Sequence, residues 1–184
     1  MIYPIYTYGQ PVLRKETEKV QSGDPELKQL VSDMFDTMYA ANGVGLAAPQ
    51  IGKSLRLFVI DATPYAEDDA TLADFKKAFI NADIYERSEE TVNMEEGCLS
   101  FPKLYENVSR PASIRIRYTD ENGTEHDEGY SGMAARVIQH EYDHIEGLVF
   151  VDHLSPLRKT LLKSKLNNFT KGKFSASYKC KPAK

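Results

Sequence analysis

Several features that would send this chain to a membrane, a secretory route or a repeat array are missing from it. No run among its 184 residues approaches the roughly 18 consecutive apolar side chains that a membrane-spanning helix needs. The opening stretch MIYPIYTYGQPVLRK has neither the charged start nor the apolar stretch of a secretory signal, and together these absences predict a cytoplasmic protein without membrane partners. Two cysteines, Cys98 and Cys180, are too few for a disulfide framework, which leaves Cys98 as a free thiolate for a metal or for chemistry. Internal repeats and a flexible linker are absent as well, and the length suits one core, so residues 1–184 are read as a single domain. What is present is an ordinary globular composition: 41% hydrophobic and 27% charged residues suffice to bury a core, which excludes disorder as the default. The charge is unevenly spread. Residues 153–184 contain nine Lys and Arg and no acid, whereas residues 1–152 contain 14 basic against 27 acidic residues, making a basic arm on an acidic body.

The stretch SGDPELKQLVSDMFDTMYAANG, residues 22–43, predicts a first helix with Asp24 as its N-cap and Pro25 at the first helical position. Leu27, Leu30, Val31, Met34, Phe35 and Met38 fall on one face, and Asn42-Gly43 supplies the stop. LRLFVID at 55–61 reads as a buried strand, and residues 113–130 alternate around an Asn122-Gly123 turn as a β-hairpin, so the middle of the chain is expected to be β-rich. The acidic segment 62–77 reads as a long surface loop without chemistry. SGMAARVIQHEYDHIEG, residues 131–147, predicts a second helix capped by Ser131 and closed by Gly147. A third is expected over 156–172, with Pro156 near its start and Leu157, Leu161, Leu162 and Leu166 on one face.

The second predicted helix carries His-Glu-x-x-His at 140–144. Residues four apart share a helix face, so His140 and His144 can present imidazole nitrogens to one ion at about 2.0 to 2.1 Å, with Glu141 projecting beside it. A carboxylate there can take a proton from an ion-bound water, whose pKa is lowered towards about 7, and pass it to a leaving amine. Such a constellation hydrolyses amides. A catalytic ion of this kind usually keeps three protein ligands and one open position. Glu146 is too close on the same helix. Spacing alone leaves Asp152 and His153 downstream and Cys98 upstream, the last in MEEGCLSFP, where Gly97 permits an irregular backbone. His153 or an acid as third ligand would make an endopeptidase, and a metal- or RNA-binding protein without catalysis is a third reading. The loop NGVGLAAPQIG at 42–52 offers small residues, Gly45 among them, where a peptide could approach closely, and Gln50 can donate a side-chain N–H to a developing oxyanion.

Taken together and in this order, GVGLAAPQ at 43–50, EGCLS at 96–100 and HEYDH at 140–144 resemble the three motifs of the peptide deformylase family, and the likeness runs from PIYTYGQPVLRK to about Phe150. The resemblance implies an α+β fold: a β-rich body around a central metal-binding α-helix, with an N-terminal amphipathic helix and a C-terminal helix. It implies removal of the formyl group from N-formylmethionine at the start of nascent bacterial polypeptides, with release of formate. By the same likeness Cys98 joins His140 and His144 as the third ligand, Gln50 and the backbone N–H of Leu99 bind the formyl oxygen, and Glu141 is general base and then acid. One divalent ion is expected, Fe2+ as the native metal, with Zn2+, Ni2+ and Co2+ also suited to a thiolate and two imidazoles. Val44, Met133, Val137 and the ring of His140 match the family's methionine pocket, beside Gly45. Asp143 is expected to pair with Arg110 and so hold the metal helix in place. Three departures stand out: segment 62–77 is longer and more acidic than the usual connection, Tyr105 replaces an arginine common in bacterial members, and the tail beyond Phe150 matches least. Its basic helix invites a ribosomal contact through phosphate attraction, as some family members make, and no specific DNA binding is expected.

Overall fold

The computed structural model describes residues 1–21 and 23–184; Ser22, the first residue of the predicted helical stretch, lies outside them. The elements run β1 (Ile5–Tyr6), α1 (Leu27–Ala40), β2 (Gly45–Ala47), β3 (Leu57–Asp61), β4 (Lys76–Arg87), β5 (Thr91–Cys98), β6 (Phe101–Pro111), β7 (Ser113–Thr119), β8 (Glu125–Ser131), α2 (Gly132–Ile145), α3 (Pro156–Thr170) and β9 (Cys180–Lys181). This is the expected α+β architecture. Strands β2, β3, β4, β7 and β8 form one antiparallel sheet in that order, β5 and β6 form a hairpin of their own, and β1 pairs with β9 in parallel.

Strand β3 explains the layering. Successive side chains of a strand point to opposite faces, and here both faces are apolar. Phe58 and Ile60 enter a core shared with Phe79, Ile116, Val137 and Ile138, which seats α2 on the sheet. Leu57 and Val59 enter another, shared with Val31, Met34, Phe35 and Met38 of α1. A third core joins Phe101, Leu104 and Val108 of β6 to Phe150, Val151, Leu162 and Phe169. In it Phe101 meets Phe150 and Phe169 edge-on, with ring centroids 5.2 and 5.7 Å apart. That packing carries the closed end of the β5–β6 hairpin against the segment after α2, residues 149–154, and against α3.

Four expectations need correction. Asp24 does not cap α1, which begins three residues later; its Oδ1 accepts from the Glu26 N–H at 2.9 Å and so closes the turn that leads into the helix. Segment 62–77 is not a free loop. It holds two short 3-10 turns, Thr63–Tyr65 and Ala70–Leu72, buries Leu72 and Phe75 in the α2 core and runs into β4 at Lys76. On α3 the four leucines do not share a buried face, because Leu157 and Leu161 are 71% and 64% exposed and burial falls to Leu162 and Phe169. Ser131 stands at the N-cap of α2 without a side-chain cap bond. Among the described residues no helix is long and apolar enough to cross a membrane.

Candidate active site

Two local features bring the three motifs together. Strand β5 ends at Cys98 in a register shift against β6, where Gly97 lies so close to Tyr105 that a Cβ would sit 2.6 Å from its ring. Helix α2 presents His140 and His144 one turn apart, their rings 5.4 Å between centroids and crossed at 70°. Cys98 Sγ lies 3.4 Å from His144 Nε2, and one ligand atom from each of Cys98, His140 and His144 falls within 4.8 Å of the other two. The remaining third-ligand alternatives are engaged elsewhere. His153 Nε2 lies 2.7 Å from Asp143 Oδ2, Asp152 accepts from Arg14 at 2.6 Å, and Glu146 pairs with Arg56 at 2.5 Å.

The three side chains fit a divalent ion. His140 directs Nδ1 at Glu96 Oε1, 2.8 Å away, which leaves its Nε2 free for a ligand bond. Burial holds His144 down to about 3, with the neighbouring His140 acting in the same direction. A thiolate and two imidazoles suit several first-row ions.

Around this cluster lies a buried charge network that begins at Glu96. Its Oε2 accepts from Arg110 Nε at 2.6 Å and from Arg136 Nη1 at 2.7 Å, and Arg110 Nη1 donates onward to Asp143 Oδ2 at 2.8 Å. Burial alone would raise the Glu96 carboxyl, but the hydrogen bonds and charges of His140 and Arg110 prevail and hold it well below the usual carboxylate range. Arg110 and Asp143 therefore stand as expected from the sequence. Glu96 and Arg136 were not singled out there, although Glu96 shares a strand face with Cys98 two residues on, and Arg136 sits one helical turn before His140.

Gln50 is buried and oriented. Its Oε1 accepts from the Ala47 N–H at 2.9 Å, which turns Nε2 towards Ser100 Oγ at 3.1 Å and Cys98 Sγ at 3.5 Å. Glu141 packs against the bare Cα of Gly45, and among the described residues its Oε2 is buried without a hydrogen-bond partner. Burial pushes its carboxyl up to about 7, with the His140 charge acting the other way. A cavity of about 440 Å³ opens above these groups, and Val44, Gly45, Leu99, Met133 and Val137 all line it. Tyr65, from the acidic segment, and Tyr178, from the C-terminal tail, line it too, and neither carried any signal in the sequence.

Comparison with known proteins places this arrangement. The family model described as polypeptide deformylase matches residues 2–160. The peptide deformylase of Christiangramia forsetii is 51% identical over 186 residues, spanning 97% of this chain and 95% of its own, and that of Cytophaga hutchinsonii is 51% identical over 98% of this chain and 97% of its own. The crystal structure of a peptide deformylase from Legionella pneumophila superposes with a TM-score of 0.80 at 39% identity, covering 93% of this chain and 96% of that one. With a full set of motifs, a shared fold and half the aligned residues in common with the first two of these relatives, the chain belongs to the polypeptide deformylase family.

Proposed function

We propose that this protein removes the formyl group from the N-formylmethionine of nascent polypeptides in the cytoplasm and releases formate. The observation that carries this reading is the convergence of Cys98, His140 and His144 with Glu141 and Gln50, of which all but His144 line one cavity. Cys98, His140 and His144 would hold one divalent ion, Fe2+ as the native metal with Zn2+, Ni2+ or Co2+ as substitutes, which would supply Lewis acidity and an acidified water. Glu141, buried beside His140, would take a proton from the attacking water and return it to the amine nitrogen as the C–N bond breaks. Gln50 Nε2, held by the Ala47 N–H acting on its other end, and the Leu99 backbone N–H donate to the formyl oxygen as it gains charge. Val44, Met133 and Val137 hold the methionine side chain, and Gly45 lets the substrate backbone approach. Glu96, Arg110, Arg136 and Asp143 keep α2 and the His140 ring in place. The basic segment beyond residue 153 is read as the part that meets the ribosome.

The direct test is formate release from N-formyl-Met-Ala-Ser by protein purified without oxygen and loaded separately with iron(II), nickel and zinc. Turnover is expected with the wild type and not with Glu141→Ala, which should keep its metal. Cys98→Ser should lose or greatly weaken metal binding, measured as bound ion per chain. Folded, metal-loaded wild type that releases no formate would rule the reading out.

A further inference from the structure

The C-terminal tail lies beyond the residues that the family model matches, yet it reaches the metal-binding loop. The Tyr178 hydroxyl donates to the Leu99 carbonyl at 2.7 Å, and Lys103 Nζ donates to Ser175 Oγ at 2.8 Å. Ala176, Ser177 and Tyr178 form part of the cavity wall. The tail is itself tied down, because β9 pairs with β1 and Gln10 Nε2 donates to the carbonyls of Lys181 and Pro182 at 3.2 and 2.8 Å.

The N-terminal strand grips the same loop one residue further on. The Ser100 carbonyl accepts from the Tyr8 N–H at 2.9 Å, and Ser100 Oγ donates to the Tyr6 carbonyl at 2.7 Å while accepting from Gln50. The Leu99–Ser100 and Ser100–Phe101 peptide planes are thus fixed by two distant parts of the chain, directly after the Cys98–Leu99 plane that carries the Leu99 N–H. The Leu99 side chain is wedged as well: a Cβ on Gly43 would lie 2.8 Å from its Cδ1. An N–H that must meet a developing oxyanion works only when held to a fraction of an ångström, since misplacement by about 1 Å can cost 100-fold in rate.

We propose that the segment from Ser175 to Lys181 is a positioning element of the active site, in which the Tyr178 hydroxyl fixes Leu99 through its carbonyl and so aims the Leu99 N–H at the formyl oxygen. This rests on the deformylase reading above. The aromatic ring of Tyr178 packs with Leu99 on the α1 core, so Tyr178→Phe removes the hydrogen bond and leaves the packing.

The test compares nickel-loaded wild type, Tyr178→Phe and Gln10→Ala on N-formyl-Met-Ala-Ser, with kcat, KM, bound metal and thermal midpoint recorded for each. A group that acts only on the transition state lowers kcat and spares KM. Tyr178→Phe should lower kcat about tenfold with KM within about twofold and metal content and midpoint at wild-type values. Gln10→Ala, which loosens the tail from its far side, should show a smaller fall of the same kind. An unchanged kcat in Tyr178→Phe, a loss that merely tracks missing metal or folded protein, or a raised KM with kcat intact would each overturn the positioning role. Wild type that turns over normally beside an unchanged Tyr178→Phe sinks this inference alone; inactive, metal-loaded wild type sinks the deformylase reading and this inference with it.

Discussion

Gly45 carries no side chain because Glu141 already fills the space, a Cβ there falling 2.5 Å from Glu141 Oε1. Gly45→Ala must push the carboxylate aside, and kcat is expected to fall on the order of tenfold or more while the thermal midpoint barely moves. A full-rate variant would show that the carboxylate need not sit where it does. Arg110 makes a different kind of demand. It is 3% exposed and is shared by Glu96 and Asp143, so Arg110→Met leaves two buried acids without their common partner. Urea unfolding should register a loss of about 3 to 5 kcal/mol, and a loss under about 1 kcal/mol would mean that Arg136 and His153 suffice. At this scale most of the site is legible in the sequence, because a helix period brings His140, Glu141 and His144 together and the order of motifs adds Cys98 and Gln50. The supports are less so: Glu96 acts through residues 40 and 44 positions away, a separation that no local pattern encodes.

Legibility at the scale of elements follows burial. Strand β3 and helix α1 show their apolar positions plainly because both are packed between layers. Strand β5 does not, since only Glu96 among its eight residues is buried, and β6 is blurred because its inward positions include Glu106 and Arg110 beside Leu104 and Val108. On α3, Leu157 and Leu161 mislead for the opposite reason, since helical spacing alone does not say that the buried positions fall to Leu162 and Phe169. The outer strand β8 has its own electrostatic anchor. Glu128 accepts from Tyr118 at 2.7 Å, from Lys77 at 3.3 Å and from Tyr130. Burial would raise this carboxyl, but the hydrogen bonds from the two tyrosines and the Lys77 charge bring it below its usual 4.5. A carboxyl lowered by folding stabilises the folded state above its unfolded pKa, and that contribution is lost as pH falls through the folded value. Glu128→Gln should therefore be less stable than wild type at pH 7, and the gap should close below about pH 4. Denaturant midpoints across pH 3–7 measure this, and a constant gap would place the effect in packing rather than charge.

At the scale of the whole molecule the charges separate: nine basic residues and no acid lie beyond residue 152, and the exposed Leu157 and Leu161 stand among them on α3. If this face meets ribosomal RNA, co-sedimentation with ribosomes should weaken steeply between about 50 and 200 mM salt, and replacing Lys159, Lys163 and Lys165 by Glu should remove it without altering formate release. Salt-insensitive sedimentation would contradict an electrostatic contact. The gross plan of three helices on a β-rich body is readable from periodicity and motif order, but the meeting of the two chain ends is not, since β1 and β9 are two residues each and have no pattern of their own. That meeting has a consequence for how the protein comes into being. Strand β1 pairs with a segment about 175 residues away, and contacts of such separation close late in folding. A chain made from its N-terminus forward can complete its sheet, its helices and the Cys98, His140 and His144 cluster while the tail is still unmade. The loop at Leu99 receives its second hold only once Tyr178 and the strand that anchors it have been made, so the final adjustment of the site waits for a segment about 80 residues downstream of the loop it holds.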